Sequence, residues 1–361
     1  MSTHVHVSLQ HGIGTLTLDR PQALHALSLD MLRTLTQALL AWRDDPAVKG
    51  VLIGSSSEKA FCAGGDIRFF HQLGRAAPQQ GSALIEDFFT EEYALNRLIH
   101  HYPKPYVALL DGIVMGGGMG IAQCQSAGRL RIVTERTKMA MPETAIGLFP
   151  DIGASYFLSR CPGKIGLYLG LTGQTIGATD ALYVGLADVF IPSVELPKLR
   201  AALLQTNDVH ATVAEFATAF RMQADPARSM LATQRERIDR HFSKHDVAAI
   251  MASLQQDADP FAQATLSLLQ NRSPLMLCVT LEQLHRGSSM TIEACLRMER
   301  SMMRHSFEGE EGLEGIRAAV IDKDQSPRWQ PASLAEVTPV MVARYFESVW
   351  PDYAHPLRDW L

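Results

Sequence analysis

The chain has 361 residues, room for one large core with an appended piece or for two domains, and its 47% apolar and 20% charged residues suit ordinary globular packing. A formal charge of −5 argues against a nucleic-acid partner held on a basic face. Cys62, Cys124, Cys161, Cys278 and Cys295 form no C-x-x-C pair, and no apolar run approaches the ~20 residues of a membrane span.

Val5, Val7 and Leu9 alternate with polar residues, Gly12 offers a turn, and Leu16 and Leu18 resume the alternation, so residues 4–19 predict a β-hairpin. This start has neither an apolar signal core nor an arginine-rich presequence, so with reduced, scattered thiols a cytoplasmic enzyme with no membrane association is expected. Ser28 is placed to cap a helix whose apolar face is Met31, Leu32, Leu35, Leu39 and Trp42. Val51–Gly54 reads as a short strand leading into the loop Ser55–Asp66. A second helix is expected from about Leu84 to His101, stopping before Pro103, and Tyr106–Leu110 reads as a buried strand. Gly112–Gly120 turns the chain, with a further helix expected over Ile121–Ala127. Leu130–Val133 and Lys138–Met141 are two more short strands. The alternation predicts an α/β core, and from about Thr179 onward the pattern is mainly helical, with helices at Pro274–Gly287 and Met290–His305.

Three segments carry chemical interest. Lys59-Ala60-Phe61-Cys62-Ala63-Gly64-Gly65-Asp66 puts small residues after a strand, where exposed N–H groups bind an anion; an ordinary strand-to-helix turn is the plainer reading. Met115-Gly116-Gly117-Gly118-Met119-Gly120 presents unbonded N–H groups at a helix start. A dinucleotide loop fails there, because Ile121 stands where a third glycine is needed. In Met141–Gly153 the carboxylates Glu143 and Asp151 sit among apolar residues, glycine and proline. Carboxyls in an apolar pocket serve as base, acid or nucleophile; the equal alternative is that Glu143 caps a helix and Asp151 closes a turn. There is no G-x-S-x-G elbow, phosphate loop or H-E-x-x-H helix. Thirteen histidines pair only as His4 with His6 and His100 with His101, so no metal is expected.

Taken in order, KAFCAGGDI, KPYVALLDGIVMGGGMG and MAMPETAIGLFPDIG resemble the crotonase, or enoyl-CoA hydratase/isomerase, superfamily. The resemblance implies an α/β, crotonase-like spiral of β-β-α repeats with a helical C-terminal region, and a bent acyl-coenzyme A in a cleft. It also implies two N–H donors on the thioester oxygen, at Gly65 and Gly117 by motif position. Hydratases of that superfamily use two glutamates; here Gly120 stands at the first position and Glu143 at the second. FFTEEYALNRLI, SPLMLCVTLEQLHRG and EGIRAAVIDKDQSPRWQPA extend the likeness to the branch that hydrolyses 3-hydroxyisobutyryl-CoA, with 3-hydroxypropionyl-CoA as a second substrate, in valine degradation. That branch implies catalytic Glu143 and Asp151, with substrate held by Glu92, Gly117, Glu143 and Asp151; for Glu92 a solvated helix charge is the plain alternative. It further implies a core over residues 1–190, with 191–361 completing the acyl-CoA site. No cofactor is implied, coenzyme A entering as part of the small-molecule substrate, and superfamily habit allows a homo-oligomer. A hydratase or isomerase, or a noncatalytic acyl-CoA binding protein, are the other readings.

Overall fold

The computed structural model describes residues 2–76 and 82–360. The chain forms two compact units that interleave along the sequence: Met1–Gly65, Ala94–Ala140 and Thr175–Thr233 in the first, and Asp66–Tyr93, Met141–Gln174 and Gln234–Leu361 in the second. The boundary expected at residue 190 falls inside the first unit.

The first unit holds nine strands: β1 (Val5–Gln10), β2 (Ile13–Leu18), β3 (Gly50–Ser55), β4 (Ala60–Cys62), β5 (Tyr106–Leu110), β6 (Ile113–Met115), β7 (Arg129–Val133), β8 (Lys138–Ala140) and β9 (Val189–Phe190). The larger sheet runs β1-β2-β3-β5-β7-β9, antiparallel between β1 and β2 and parallel beyond. All five residues of β5 are buried, as befits a parallel strand covered on both faces. On one face Ile13, Leu52, Val107, Leu109, Leu130 and Ile132 pack with Leu196, Leu199, Leu203, Val209 and Val213 of the helices Leu196–Leu203 and Val209–Phe220.

The expected hairpin is present, with Val5 opposite Leu18. Ser28 Oγ accepts from Met31 N at 3.4 Å to start the helix Leu29–Arg43, whose anticipated apolar residues are buried. Three-residue β4 and β6 lie where a loop and a turn were expected; too few residues are present for a period-two pattern to show. With β8 they form a second, parallel sheet, order β4-β6-β8. The helix expected over Ile121–Ala127 does not form. Helix Gly117–Gly120 ends there, and the next residues bond elsewhere: Gln123 accepts from Arg131 and donates to Leu186 O, and Gln125 N–H reaches His100 O. Tertiary partners here replace the helical ladder.

The second unit is built from helices, among them Ile67–Ala76, Pro274–Gly287 and Ile292–Glu308, with the first part of the helix Ala83–His100. The rings of Phe70, Phe88, Phe89, Tyr93 and Phe307 interlock in it, the Phe70 and Phe88 centroids 4.7 Å apart.

Candidate active site

In the second unit the segment after β8 turns at once into a short 3-10 helix, Glu143–Ile146. Glu143 does not cap it: no side-chain cap bond is made, and Glu143 Oε2 is buried with no hydrogen-bond partner. An orphaned buried oxygen costs on the order of 1–3 kcal/mol, so it persists where function requires it or where the structure holds a missing partner. Asp151 does close a turn, but through its carbonyl, which accepts from Ala154 N–H at 2.8 Å. Its carboxylate is taken by the Tyr93 hydroxyl, which donates to Oδ2 at 2.8 Å.

Glu92, one residue before Tyr93 in the helix Ala83–His100, points into the same cluster and leaves Oε1 unbonded. Exposures of 2% for Glu92, 7% for Glu143 and 6% for Asp151 decide the Glu92 question: it is not a solvated helix charge. Burial comes first in raising all three proton affinities. The Asp151 charge adds to it at Glu143, and Asp151 and then Glu143 add to it at Glu92, both of which are held well above the ordinary glutamate range. Asp151 rises to about 7, with the Tyr93 hydroxyl pulling it back. The three groups repel one another as charges, so ionising one of them favours protons on the others.

Two further residues belong to this cluster and were not foreseen. Tyr93 is the direct partner of Asp151, and Glu299, wholly buried in the helix Ile292–Glu308, accepts from Gly153 N–H, Ser155 N–H and Ser155 Oγ–H. A signal for Glu299 exists in the sequence: it falls on the helix stripe of Cys295, Leu296, Met302 and Met303, where a charge is out of place.

In the first unit β4 and β6 pair in parallel, Cys62 opposite Val114, so Gly65 and Gly117 each lie three residues beyond a matched pair. Gly64 adopts φ +99, and a Cβ there would stand 3.1 Å from Met115 O and 3.3 Å from Gly117 N. Only glycine allows this approach of the two turns. Gly117 opens the four-residue helix, where its N–H has no intrahelical acceptor. The structure thus brings Gly65 and Gly117 together in one unit and Glu92, Glu143 and Asp151 together in the other. Among the described residues no group of three or more His, Cys, Asp and Glu side chains could hold a metal ion, and no helix is long and apolar enough to cross a membrane.

A model of the enoyl-CoA hydratase/isomerase family matches residues 13–346. The chain belongs to that family. Within it, 3-hydroxyisobutyryl-CoA hydrolase, mitochondrial, of Gallus gallus is 41% identical over 342 residues, covering 94% of this chain and 87% of that protein. The Homo sapiens protein of the same name is 39% identical over 341 residues, covering 93% and 86%. Among solved structures, a carnitinyl-CoA dehydratase from Mycobacterium thermoresistibile superposes with a TM-score of 0.89 at 39% identity over 97% of this chain and 98% of that one. An enoyl-CoA hydratase from Rhodobacter sphaeroides 2.4.1 gives 0.86 at 39% identity over 96% and 98%. The crotonase-like α/β fold implied by the motifs is the fold of this family.

Proposed function

We propose that this chain is a thioester hydrolase that converts 3-hydroxyisobutyryl-CoA, and the 3-hydroxypropionyl analogue lacking one methyl, to the free hydroxy acid and coenzyme A, a step of valine degradation. The observation that carries the proposal is Glu143: a buried glutamate of raised proton affinity, with one oxygen unbonded, beside the charge of Asp151. Relatives that match over more than nine-tenths of this chain and are named for this hydrolysis support it.

In the proposed reaction the N–H groups of Gly65 and Gly117 take the thioester oxygen, where negative charge develops. Ionised Glu143 accepts a proton from water as the water oxygen bonds to the carbonyl carbon. The tetrahedral oxyanion collapses, the C–S bond breaks, and the coenzyme A thiolate takes up the proton. In the covalent variant Glu143 attacks the carbon itself, the thiolate leaves, and water opens the mixed anhydride. A single turnover in H2(18)O separates the two, since label in the Glu143 carboxyl arises only from the anhydride. Asp151, oriented by Tyr93, holds the water or the 3-hydroxyl and manages its proton, and Glu92 accepts from the hydroxyl end. This chemistry uses no cofactor, and the substrate is a small acyl-CoA. A homo-oligomer remains part of the proposal by family habit.

The test is release of thiol from 3-hydroxyisobutyryl-CoA by the purified protein; no release sinks the proposal. A hydratase is the second reading, favoured by the names of the two solved structures. Against it stands Gly120, buried and without a side chain where the hydratase pattern needs its first glutamate. Loss of crotonyl-CoA absorbance with no thiol release would favour it.

A further inference from the structure

The turn that carries Asp151 is held by groups that the reaction above does not use. Ile152 at φ 55 and Gly153 at φ 88 are consecutive left-handed residues, and a β-branched residue stays there only when its surroundings over-determine it. At Gly153 a Cβ would come within 2.8 Å of Ile292 Cδ1, so the turn lies hard against the helix Ile292–Glu308.

Three donors converge from this turn on one carboxylate of that helix. Gly153 N–H donates to Glu299 Oε2 at 2.7 Å, while Ser155 N–H and Ser155 Oγ–H donate to Oε1 at 2.9 and 2.6 Å. On the other side of Asp151, Gln283 Nε2 donates to Pro150 O at 2.5 Å and to Ser155 Oγ at 2.8 Å. The backbone is therefore pinned on both flanks of Asp151. An apolar residue at 299 would pack in the same space and leave the Gly153 and Ser155 N–H groups unpaired, so packing alone does not account for an acid here.

The titratable groups around Glu299 are Asp151 on the turn, Tyr93 on the helix Ala83–His100 and Cys295 on its own helix. Burial raises the proton affinity of Glu299, the three donors pull it down, and Asp151 raises it again.

We propose that Glu299 is a positioning residue of the carboxylate site: it fixes the left-handed turn so that Asp151 keeps its pose on the Tyr93 hydroxyl. The kinetic form of this inference rests on the hydrolase reading. Glu299→Gln has one acceptor oxygen for the two flanking N–H groups and no charge. It is expected to lower kcat about 10- to 100-fold with KM within about 2-fold, and, by loosening Asp151 from the Tyr93 hydroxyl that draws its proton affinity down, to move the acid limb of the pH profile to higher pH. Glu282→Gln, at a surface ion pair with Arg286 on the helix Pro274–Gly287, should leave both as in wild type. A folded Glu299→Gln with wild-type kcat and pH profile overturns the inference. Should that variant not fold, Ser155→Ala, which removes only the hydroxyl link, is read instead: about 3- to 10-fold lower kcat is expected, and an unchanged kcat and profile overturns it.

A wild type that releases no thiol would defeat the hydrolase reading and leave this one testable without turnover. The Asp151 carboxyl, followed by 13C NMR in aspartate-labelled protein and assigned by its absence in Asp151→Asn, should titrate near 7 in wild type. It should titrate higher in Glu299→Gln, as the hold of the Tyr93 hydroxyl is lost; identical midpoints overturn the positioning role.

Discussion

In the three-stranded sheet the groups suited to chemistry are backbone amides whose placement follows from strand pairing, whereas around Glu143 they are acidic side chains buried against their own preference for water. The first device costs little: Cys62 faces Val114, the two strands end level, and Gly64 lets the turns approach. The second is a concentration of like-charged groups that disfavours ionisation and leaves oxygens of Glu92 and Glu143 unbonded. A backbone device tolerates most side-chain changes and fails when glycine is lost; a carboxylate device fails one atom at a time and leaves a more stable protein behind.

Four substitutions sharpen that contrast. The largest effect is expected of Glu143→Gln, which removes the proposed base or nucleophile and should cut thiol release at least ~10³-fold while the protein stays folded by circular dichroism; residual activity above about a tenth would break the assignment. Next, Gly64→Ala disturbs the amides without touching a charge. At φ +99, with Met115 O and Gly117 N crowding the new methyl, it should cost about 10²-fold in kcat, near the ~3 kcal/mol of one displaced donor, and leave the Asp151 titration where it was.

Smaller is Tyr93→Phe. Losing the hydroxyl that draws Asp151 downward should raise the acid limb of the pH profile above about 7 and lower kcat about 10-fold at neutral pH, in the same pH direction as Glu299→Gln. The smallest effect is on stability. Asp151 is raised from 3.8 to about 7 in the fold, so it binds its proton more tightly folded than unfolded. Its contribution is complete below 3.8 and is lost as pH rises through about 7, at ~1.4 kcal/mol per unit. Asp151→Asn should therefore melt higher than wild type at pH 8, with the gap narrowing toward pH 5, although the variant is inactive. An equal gap at both values would remove the link between burial and function.

Much of this was legible beforehand, for reasons that differ by element. The hairpin, the Ser28-capped helix and the helix Pro274–Gly287 show because their periods repeat over enough residues and their caps are local. Glu143 and Asp151 stood out because charge in an apolar, glycine-rich stretch is uncommon. Glu92 did not separate from a surface glutamate, since its burial depends on what packs over its helix. The Ile121–Ala127 segment went astray because Gln123 and Gln125 find partners far along the chain, which no local pattern records. Tyr93 and Glu299 were missed for the same reason: Tyr93 lies 58 positions from Asp151, and Glu299 lies 146 from Gly153.

By itself the sequence determined the family, through three motifs whose glycines and acids hold fixed spacings, and with it the α/β fold, and it singled out Gly65, Glu92, Gly117, Glu143 and Asp151 as candidates. Tertiary structure decided their states: which oxygens stay unbonded, how burial raises the proton affinity of each carboxyl, and which groups hold the Asp151 turn in a left-handed path. Proton affinity and backbone strain depend on burial and on partners brought in from distant positions, and neither quantity is carried by a residue type or by its neighbours in the chain.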